Sequence, residues 1–380
     1  MLIRDLIRVP KENTDDNTRL TDLMLASKFG ADEDNFKIIK LLIFSGENIN
    51  VKNINGLTAL MYAVRFANTS SNLETIKYLI KNGANINDKD NDGWSPLIFA
   101  VRNSHVISNI DLVKYLIENG ANVNEKDNHN YTALIYASIN SNSNTEIIKY
   151  LIEHGANVND KNIYGSTTLM NIVRNSQDNL ENIKYLIKKG ANVNEKNNDL
   201  WTPLIYAVKN SNNDNNIKTV KYLIKKGANV NDKDNCGWNI LISAARNLNN
   251  DNTETIKYLI EKGANIVDTD LKGKTVLTHL KKMSKNKELI EYLESYLKNL
   301  SKTLLMKFIK EKNIDEIKKL IKNIVDGDIL LEVIKLNNLE ILKIFFEYNK
   351  QVYNYKIIFE KIIEENINVD VLEFIYDNSN

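Results

Sequence analysis

The stretch Gly83-Ala84-Asn85-Ile86-Asn87-Asp88-Lys89-Asp90-Asn91-Asp92-Gly93-Trp94-Ser95-Pro96-Leu97-Ile98-Phe99-Ala100 carries a stop signal, a turn and a start signal in close succession. Gly83 can take φ > 0 and end a helix. Asn91-Asp92-Gly93 is a turn signature. Ser95 is a good N-cap, and Pro96 suits the first helical turn. Leu97 and Ala100 then share one face of a short helix. The reading is therefore the end of one helix, an extended hairpin, and the beginning of the next helix.

Working outward, the same stretch recurs. Gly-Ala-Asn-Val/Ile-Asn stands at Gly83, Gly120, Gly155, Gly190 and Gly227, with a near copy at Gly46 and another, ending in Val267, at Gly263. The intervals are 35 to 37 residues, which defines a repeating unit. A second anchor recurs as Thr58-Ala59-Leu60-Met61-Tyr62-Ala63, Ser95-Pro96-Leu97-Ile98-Phe99-Ala100 and Thr202-Pro203-Leu204-Ile205-Tyr206-Ala207. A third is apolar at helical spacing: Ile76, Leu79 and Ile80; Val113, Leu116 and Ile117; Val220, Leu223 and Ile224. Each unit reads as helix, turn, second helix (Leu73 to Asn82, for example) and hairpin.

Three anchors in register resemble the ankyrin repeat. The resemblance runs from about residue 16 to 294 and implies an all-α repeat solenoid of helix-turn-helix units with short β-hairpin loops. It divides the chain into a lead-in at 1–15 and seven units at 16–52, 53–89, 90–126, 127–161, 162–196, 197–233 and 234–269. A degenerate eighth unit follows at 270–300, then a helical tail at 301–380. Three departures from the family pattern stand out. The units are two to four residues longer than the family's, and the extra falls between the helices, as in Asn68-Thr69-Ser70-Ser71-Asn72. The family's histidine after Leu is Met61, Ile98, Ile135, Met170, Ile205 or Ile242, which leaves its helix-to-loop hydrogen bond unassigned. Leu200 stands where a hairpin glycine belongs, which predicts a different turn at that tip.

The tail keeps helical periodicity without the hairpin signatures. Asn313-Ile314-Asp315, Asn338-Leu339-Glu340 and Asn368-Val369-Asp370 each open an apolar stripe: Ile317, Leu320 and Ile321; Leu342, Phe345 and Phe346; Leu372 and Ile375. These are expected to be degenerate helical pairs continuing the stack, with a separate small helical domain as the alternative. Ankyrin arrays of large DNA viruses often end in an F-box-like module that opens with Leu-Pro, and no proline follows Pro203.

Composition narrows the function classes. Fifty Lys and Arg oppose 49 Asp and Glu, for a net charge of +1, which argues against a dedicated nucleic-acid binder. With 43% hydrophobic residues a sizeable core can form. One cysteine, Cys236, excludes an intramolecular disulfide framework and points to a reducing, intracellular compartment, host cytoplasm included. Neither a signal peptide nor a membrane span is expected. The 60 asparagines, with abundant Ile and Lys, resemble the bias of giant DNA viruses and intracellular bacteria.

No constellation for catalysis emerges. Twelve of the 14 glycines end second helices or sit at hairpin tips, and Gly30 and Gly327 belong to no phosphate-cradling loop. His105, His129, His154 and His279 lack metal-ligand spacing. Cys236 has no histidine at the matching place, and Glu364-Glu365 reads as a solvated helix face. Asparagine pairs such as Asn122/Asn124 and Asn157/Asn159 read as ladders between neighbouring hairpins. Tyr78, Tyr115, Tyr150, Tyr185, Tyr222, Tyr258 and Tyr292 form one column, read as a packing stripe. No cofactor, metal or enzyme activity is expected.

Two further columns point to a partner. The residue before each capping Thr, Ser or Asn is Leu57, Trp94, Tyr131, Ser166, Trp201, Trp238 or Lys274, which includes all three tryptophans. Seven residues past the cap stand Lys28, Arg65, Arg102, Ile139, Arg174, Lys209, Arg246 and Lys282; four of the seven arginines fall here, against 43 lysines in the chain. A helix-end cation answers the helix dipole, but the choice of Arg favours its planar fork. By family geometry both columns face the concave groove. The expected function is a monomeric scaffold binding a partner protein there, through an acidic or phosphorylated segment. The contacts assigned are Trp94, Tyr131, Trp201, Trp238, Lys28, Arg65, Arg102, Arg174, Lys209 and Arg246. The alternative is an adaptor whose tail recruits a host ubiquitin ligase or another degradation complex.

Overall fold

The computed structural model describes residues 20–67, 70–102, 110–139, 145–175, 180–209, 214–246, 253–283, 286–311, 313–321, 333–334, 338–349, 371 and 373–375. The expected lead-in at 1–15, His105, Gly327, Glu364-Glu365, Asn68 and Thr69 of the insertion, and the helix opening at Asn368 lie outside them. Contacts divide the chain into two compact units, Met1–Val276 and Leu277–Asn380.

In the first, short and longer helices alternate: α1 Asp22–Lys28, α2 Glu33–Phe44, α3 Ala59–Arg65, α4 Ser70–Lys81, α5 Pro96–Arg102, α6 Ile110–Glu118, α7 Ala133–Ile139, α8 Thr145–Glu153, α9 Thr168–Arg174, α10 Leu180–Lys188, α11 Pro203–Lys209, α12 Asp214–Lys225, α13 Ile240–Arg246 and α14 Thr253–Glu261. Helix α4 begins at Ser70, so the last residues of that insertion belong to it. Each short helix packs on its own longer partner, and the short helices α1, α3, α5, α7, α9, α11 and α13 pack on one another in that order.

The starts and stops have local causes. Backbone N–H groups of Met61, Ile98, Ile135, Met170 and Ile205 donate to the hydroxyls of Thr58, Ser95, Thr132, Thr167 and Thr202 at 3.3 or 3.4 Å. At α13 the cap is Asn239, whose Oδ1 accepts from Ile242 N at 2.9 Å. The longer helices end at glycines with φ between +86° and +94°. There the next alanine's N–H reaches back to the helix, as in Ala84 N to Leu79 O at 3.0 Å. The stripes that face inward are buried to the last percent: Ile76, Leu79, Val113, Leu116, Ile148, Leu151, Ile183, Leu186, Val220 and Leu223. Each contributes roughly 1.5–3 kcal/mol of burial.

Neighbouring repeats are laced together at the loops. Asn50 Nδ2 donates to Gly83 O at 3.0 Å, and its Oδ1 accepts from Asn85 N at 2.8 Å. Asn87, Asn124, Asn159, Asn194 and Asn231 repeat this bond pair. Beside them runs a lysine–carboxylate ladder: Lys52–Asp88 at 3.5 Å, Lys89–Glu125, Lys126–Asp160 at 2.9 Å, Lys161–Glu195 at 2.6 Å, Lys196–Asp232 at 2.7 Å and Lys233–Asp268 at 3.1 Å.

The hairpins are tight loops. Among the described residues no extended strand forms, and two isolated antiparallel bridges mark them, Lys161 with Thr167 and Lys233 with Asn239. The different turn expected at Leu200 is not found. Leu200 takes φ +60°, and its N–H donates to Asn197 O at 2.9 Å, just as Gly165 N donates to Asn162 O at 2.8 Å. Asn197 Oδ1 accepts from both Asp199 N and Trp201 N, and this bond pair holds the turn whatever residue occupies the glycine position.

In the second unit, α15 Val276–Met283, which starts at the division, is followed by α16 Lys287–Lys310, α17 Ile314–Ile321 and α18 Leu339–Asn349. One helix, α16, runs through the expected boundary at residue 300. Leu305, Ile309, Ile317, Ile341, Leu342, Phe345, Val371 and Ile375 form a buried apolar cluster of this unit's own.

Candidate functional site

The site begins with the first residue of each loop. Asp90 Oδ1 accepts from Asp92 N at 3.0 Å and from Trp94 N at 2.7 Å, and Asp90 N donates to Trp94 O at 3.1 Å. Asn53, Asp127, Asn162, Asn197, Asp234 and Asp270 do the same work. Burial pushes the Asp90 carboxyl up, against the lowering effect of those two N–H groups. The loop thereby fixes the residue just before the helix cap, which is the aromatic column.

That column meets the column of helix-end cations. The Arg102 guanidinium lies 4.3 Å from the Trp94 ring centre, and Arg246 lies 4.2 Å from that of Trp238. The Lys209 ammonium is 3.4 Å from Trp201 and 5.5 Å from Trp238. Nearer the N-terminus the rings are phenylalanines: Arg65 is 5.6 Å from Phe66 and 6.0 Å from Phe99, and Lys28 is 5.2 Å from Phe66. Cation–π attraction of this kind is worth about 0.5–2 kcal/mol, and a planar guanidinium stacks well on an indole. At Trp94, Trp201 and Trp238 the two columns read separately in the sequence are therefore pairs.

Accessibility grades the set. Arg65, Arg102, Arg174 and Arg246 are exposed, Lys209 is half-buried, and Lys28 is buried at 9% exposure. Burial lowers the Lys209 pKa, with Asp234 opposing the shift. Trp94, Tyr131, Trp201 and Trp238 are half-buried. Trp94 packs edge-on against Phe99 of its own repeat, 5.1 Å between centres, and against Tyr136 of the next at 5.8 Å. Trp201 packs likewise on Tyr206 at 5.1 Å. These rings serve both packing and the accessible face. At Ile139, where the cation is missing, Asn175 Nδ2 of the next repeat donates to the Ile139 carbonyl at 2.6 Å.

Four aromatic residues that the sequence reading did not assign complete the site: Phe66, Phe99, Tyr136 and Tyr206. Tyr62, Phe99, Tyr136 and Tyr206 all stand four residues past a helix cap, which is the signal that marks the column. The three tyrosines of this column also supply the helix-to-loop bond left open by the missing histidines. Asn53 Nδ2 donates to Tyr62 Oη at 3.1 Å, Tyr136 Oη donates to Asp127 Oδ2 at 2.6 Å, and Asn197 Nδ2 donates to Tyr206 Oη at 3.1 Å. Burial and the Asp127 bond push the Tyr136 hydroxyl far up.

The remaining candidates sit elsewhere. His129 is exposed at a loop tip, His154 stacks on Tyr150 at 3.9 Å, and His279 is buried. Cys236 is exposed at the tip of the seventh repeat's loop. Among the described residues no three His, Cys, Asp or Glu side chains group so as to hold a metal ion, and no helix is long and apolar enough to cross a membrane. The tyrosine column is half-buried and ties repeat to repeat: Tyr150 Oη donates to Glu118 at 3.3 Å, Tyr185 Oη to Glu153 at 3.1 Å, and Lys114 lies 5.8 Å from the Tyr150 ring centre.

A family model described as Ankyrin repeats (3 copies) matches residues 23–127, 72–162, 142–234 and 211–296, overlapping spans that together cover more than half of the chain. No curated protein matches the chain. The chain belongs to the ankyrin repeat family.

Proposed function

We propose that this chain is a non-enzymatic scaffold that binds an acidic or phosphorylated segment of a partner protein along the face lined by its loop aromatics and helix-end cations. Ankyrin repeats are protein-interaction modules, which supports the general reading. One observation carries the finer one: Arg102 on Trp94 and Arg246 on Trp238 are exposed guanidinium groups held against rings at intervals of whole repeats. A guanidinium stacked on a ring and open to solvent can exchange its in-plane hydrogen-bond partners for a carboxylate or phosphate, which its planar fork matches bidentately. Because the ring already restrains it, less side-chain entropy is lost on binding. Arg65 and Arg174 extend the line, and Lys209 adds a cation between two indoles; buried Lys28 marks its end. The exposed thiol of Cys236 fits a reducing compartment, and the chain acts as a monomer without cofactor, nucleic acid or membrane.

The test is binding of glutamate-rich and phosphoserine-rich synthetic peptides to the full chain, followed by association kinetics at low and high salt. Affinity should fall with salt, and Arg102→Ala combined with Arg174→Ala should slow association by about tenfold with little change in stability. Affinity indifferent to salt and to both substitutions would leave the cations as helix-end partners of the rings alone.

A further inference from the structure

We propose that a second copy of this chain docks on the outer face of the longer helices, in a twofold arrangement that sets the two repeat arrays in opposite order. This goes beyond the reading above and does not rest on it, because the loop aromatics and the cations of the short helices take no part.

The argument starts from the last residue of each longer helix. From α4 to α14 it is Lys81, Glu118, Glu153, Lys188, Lys225 and Glu261, and all six are exposed. Read backwards, this series changes sign at every place. A twofold axis parallel to the helices and lying between the fourth and fifth repeats therefore sets Glu153 against Lys188 of the second copy, Glu118 against Lys225, and Lys81 against Glu261. Twofold symmetry makes each pair occur twice. The register is specific. Moving the axis by half a repeat sets Glu153 or Lys188 against itself. Moving it by a whole repeat sets Glu118 against Glu153, or Lys188 against Lys225.

The fold of one chain does not account for this order of charges. A helix C-terminus favours a cation, which suits Lys81, Lys188 and Lys225 and disfavours Glu118, Glu153 and Glu261. Glu118 accepts from Tyr150 Oη at 3.3 Å, and Glu153 from Tyr185 Oη at 3.1 Å. Glutamine would accept the same bonds without the charge. Tyr115, Tyr222 and Tyr258 stay half-buried in their column although the helix one repeat earlier ends in lysine. Among the described residues, the side chains of Lys81, Lys188, Lys225 and Glu261 make no ion pair or hydrogen bond. The other charges of this face are largely answered within the chain: Lys77–Glu74 at 2.8 Å, Lys114–Glu146 at 3.5 Å, Lys184–Glu181 at 2.7 Å and Lys221–Glu254 at 3.0 Å. The end column is thus the one whose charges set the register between copies. Exposed pairs are individually weak, so the chain is the monomer proposed above when dilute and pairs as it is concentrated.

The test is analytical ultracentrifugation of the full chain over a range of concentration and salt. At low salt the mass should rise with concentration from one chain towards two, and in about 1 M salt it should stay at one. Glu153→Lys should weaken pairing about tenfold, because it puts a lysine against Lys188 twice. Adding Lys188→Glu restores opposite signs at that place and should restore pairing. Adding Lys225→Glu instead gives the same net charge but leaves like charges at both places, and this chain should stay monomeric. Both double variants lose the same Tyr185 bond, which removes that bond as a difference between them. Equal pairing by the two overturns the twofold register. A parent that sediments as one chain at every concentration overturns the pairing, and a dimer that persists in about 1 M salt overturns charge as its cause. Arg102→Ala with Arg174→Ala should pair as the parent does; loss of pairing there would place the contact on the other face. Peptide binding is measured separately, so a failure here leaves the scaffold reading standing.

Discussion

In the first unit a buried leucine such as Leu151 is one copy of a position also filled by Leu79, Leu116, Leu186, Leu223 and Leu259. In the second unit Phe345 has no such counterpart; it lies in a cluster drawn from α16, α17, α18 and Val371 and Ile375 beyond them. The polar contacts differ in whether they recur. Array bonds such as Asn159 to Gly190 and Lys161 to Glu195 are copied from repeat to repeat, whereas Lys281–Glu294 at 2.6 Å joins α15 to α16 once. A repeated solution makes stability a sum of nearest-neighbour terms, while a unique cluster stands or falls as one.

The largest expected effect breaks the unique cluster. Phe345→Ala removes a ring that is 1% exposed and should cost about 3–5 kcal/mol, enough to unfold the second unit. All three tryptophans lie in the first unit, so their fluorescence reports the array alone, while far-ultraviolet circular dichroism reports both. The variant should lose part of its helical signal with the tryptophan urea midpoint unchanged. A tryptophan midpoint that falls together with the helical signal would show that the array depends on the second unit, and the comparison would fail.

A smaller effect probes the array's lacing. Asn159 Nδ2 donates to Gly190 O at 2.9 Å, and Asn159 Oδ1 accepts from Asn192 N at 2.9 Å. Asn159→Ala removes both bonds between adjacent repeats and should cost about 1–2 kcal/mol. Amide exchange should quicken first at Asn192 and in the repeats either side, with the second unit's amides unchanged. Uniform acceleration through the whole array would mean that the repeats open as one body.

How much of this was legible depended on the range of the chemistry. Caps at Thr58 and Ser95, helix stops at Gly83 and Gly120, and the asparagine ladders follow from a few neighbouring residues, and the copies confirm the reading. The pairing of Trp94 with Arg102 was not legible as a contact. It brings together a residue just before the helix cap and one in the last turn, which spacing alone does not reveal. Leu200 misled because turn propensity was weighed without the loop around it, where the Asn197 carboxamide and the neighbouring tips on both sides hold the glycine conformation. The missing histidines hid a substitute, the tyrosine one residue later. In the tail the apolar stripes were visible, but without a repeating register nothing in the sequence says which stripes meet.

The smallest effect sharpens the electrostatic side of the comparison. Lys161 donates to Glu195 at 2.6 Å and, with a second bond from Asn192 Nδ2 at 2.9 Å, holds the Glu195 carboxyl below its ordinary value. A carboxyl depressed in the folded state adds stability that is fully present above its unfolded pKa. That stability is lost as pH falls through the depressed folded value. The pair is partly exposed, 41% for the lysine side chain and 25% for the glutamate, so its share is below about 1 kcal/mol. Glu195→Gln should therefore lower the array's urea midpoint slightly at neutral pH, and the difference should close below about pH 4, where unfolded carboxyls are largely protonated. Added salt should shrink it as well. A difference that persists unchanged in acid would mean that the Lys161–Glu195 contact acts through packing and neutral hydrogen bonds, and that charge does not hold these two repeats together.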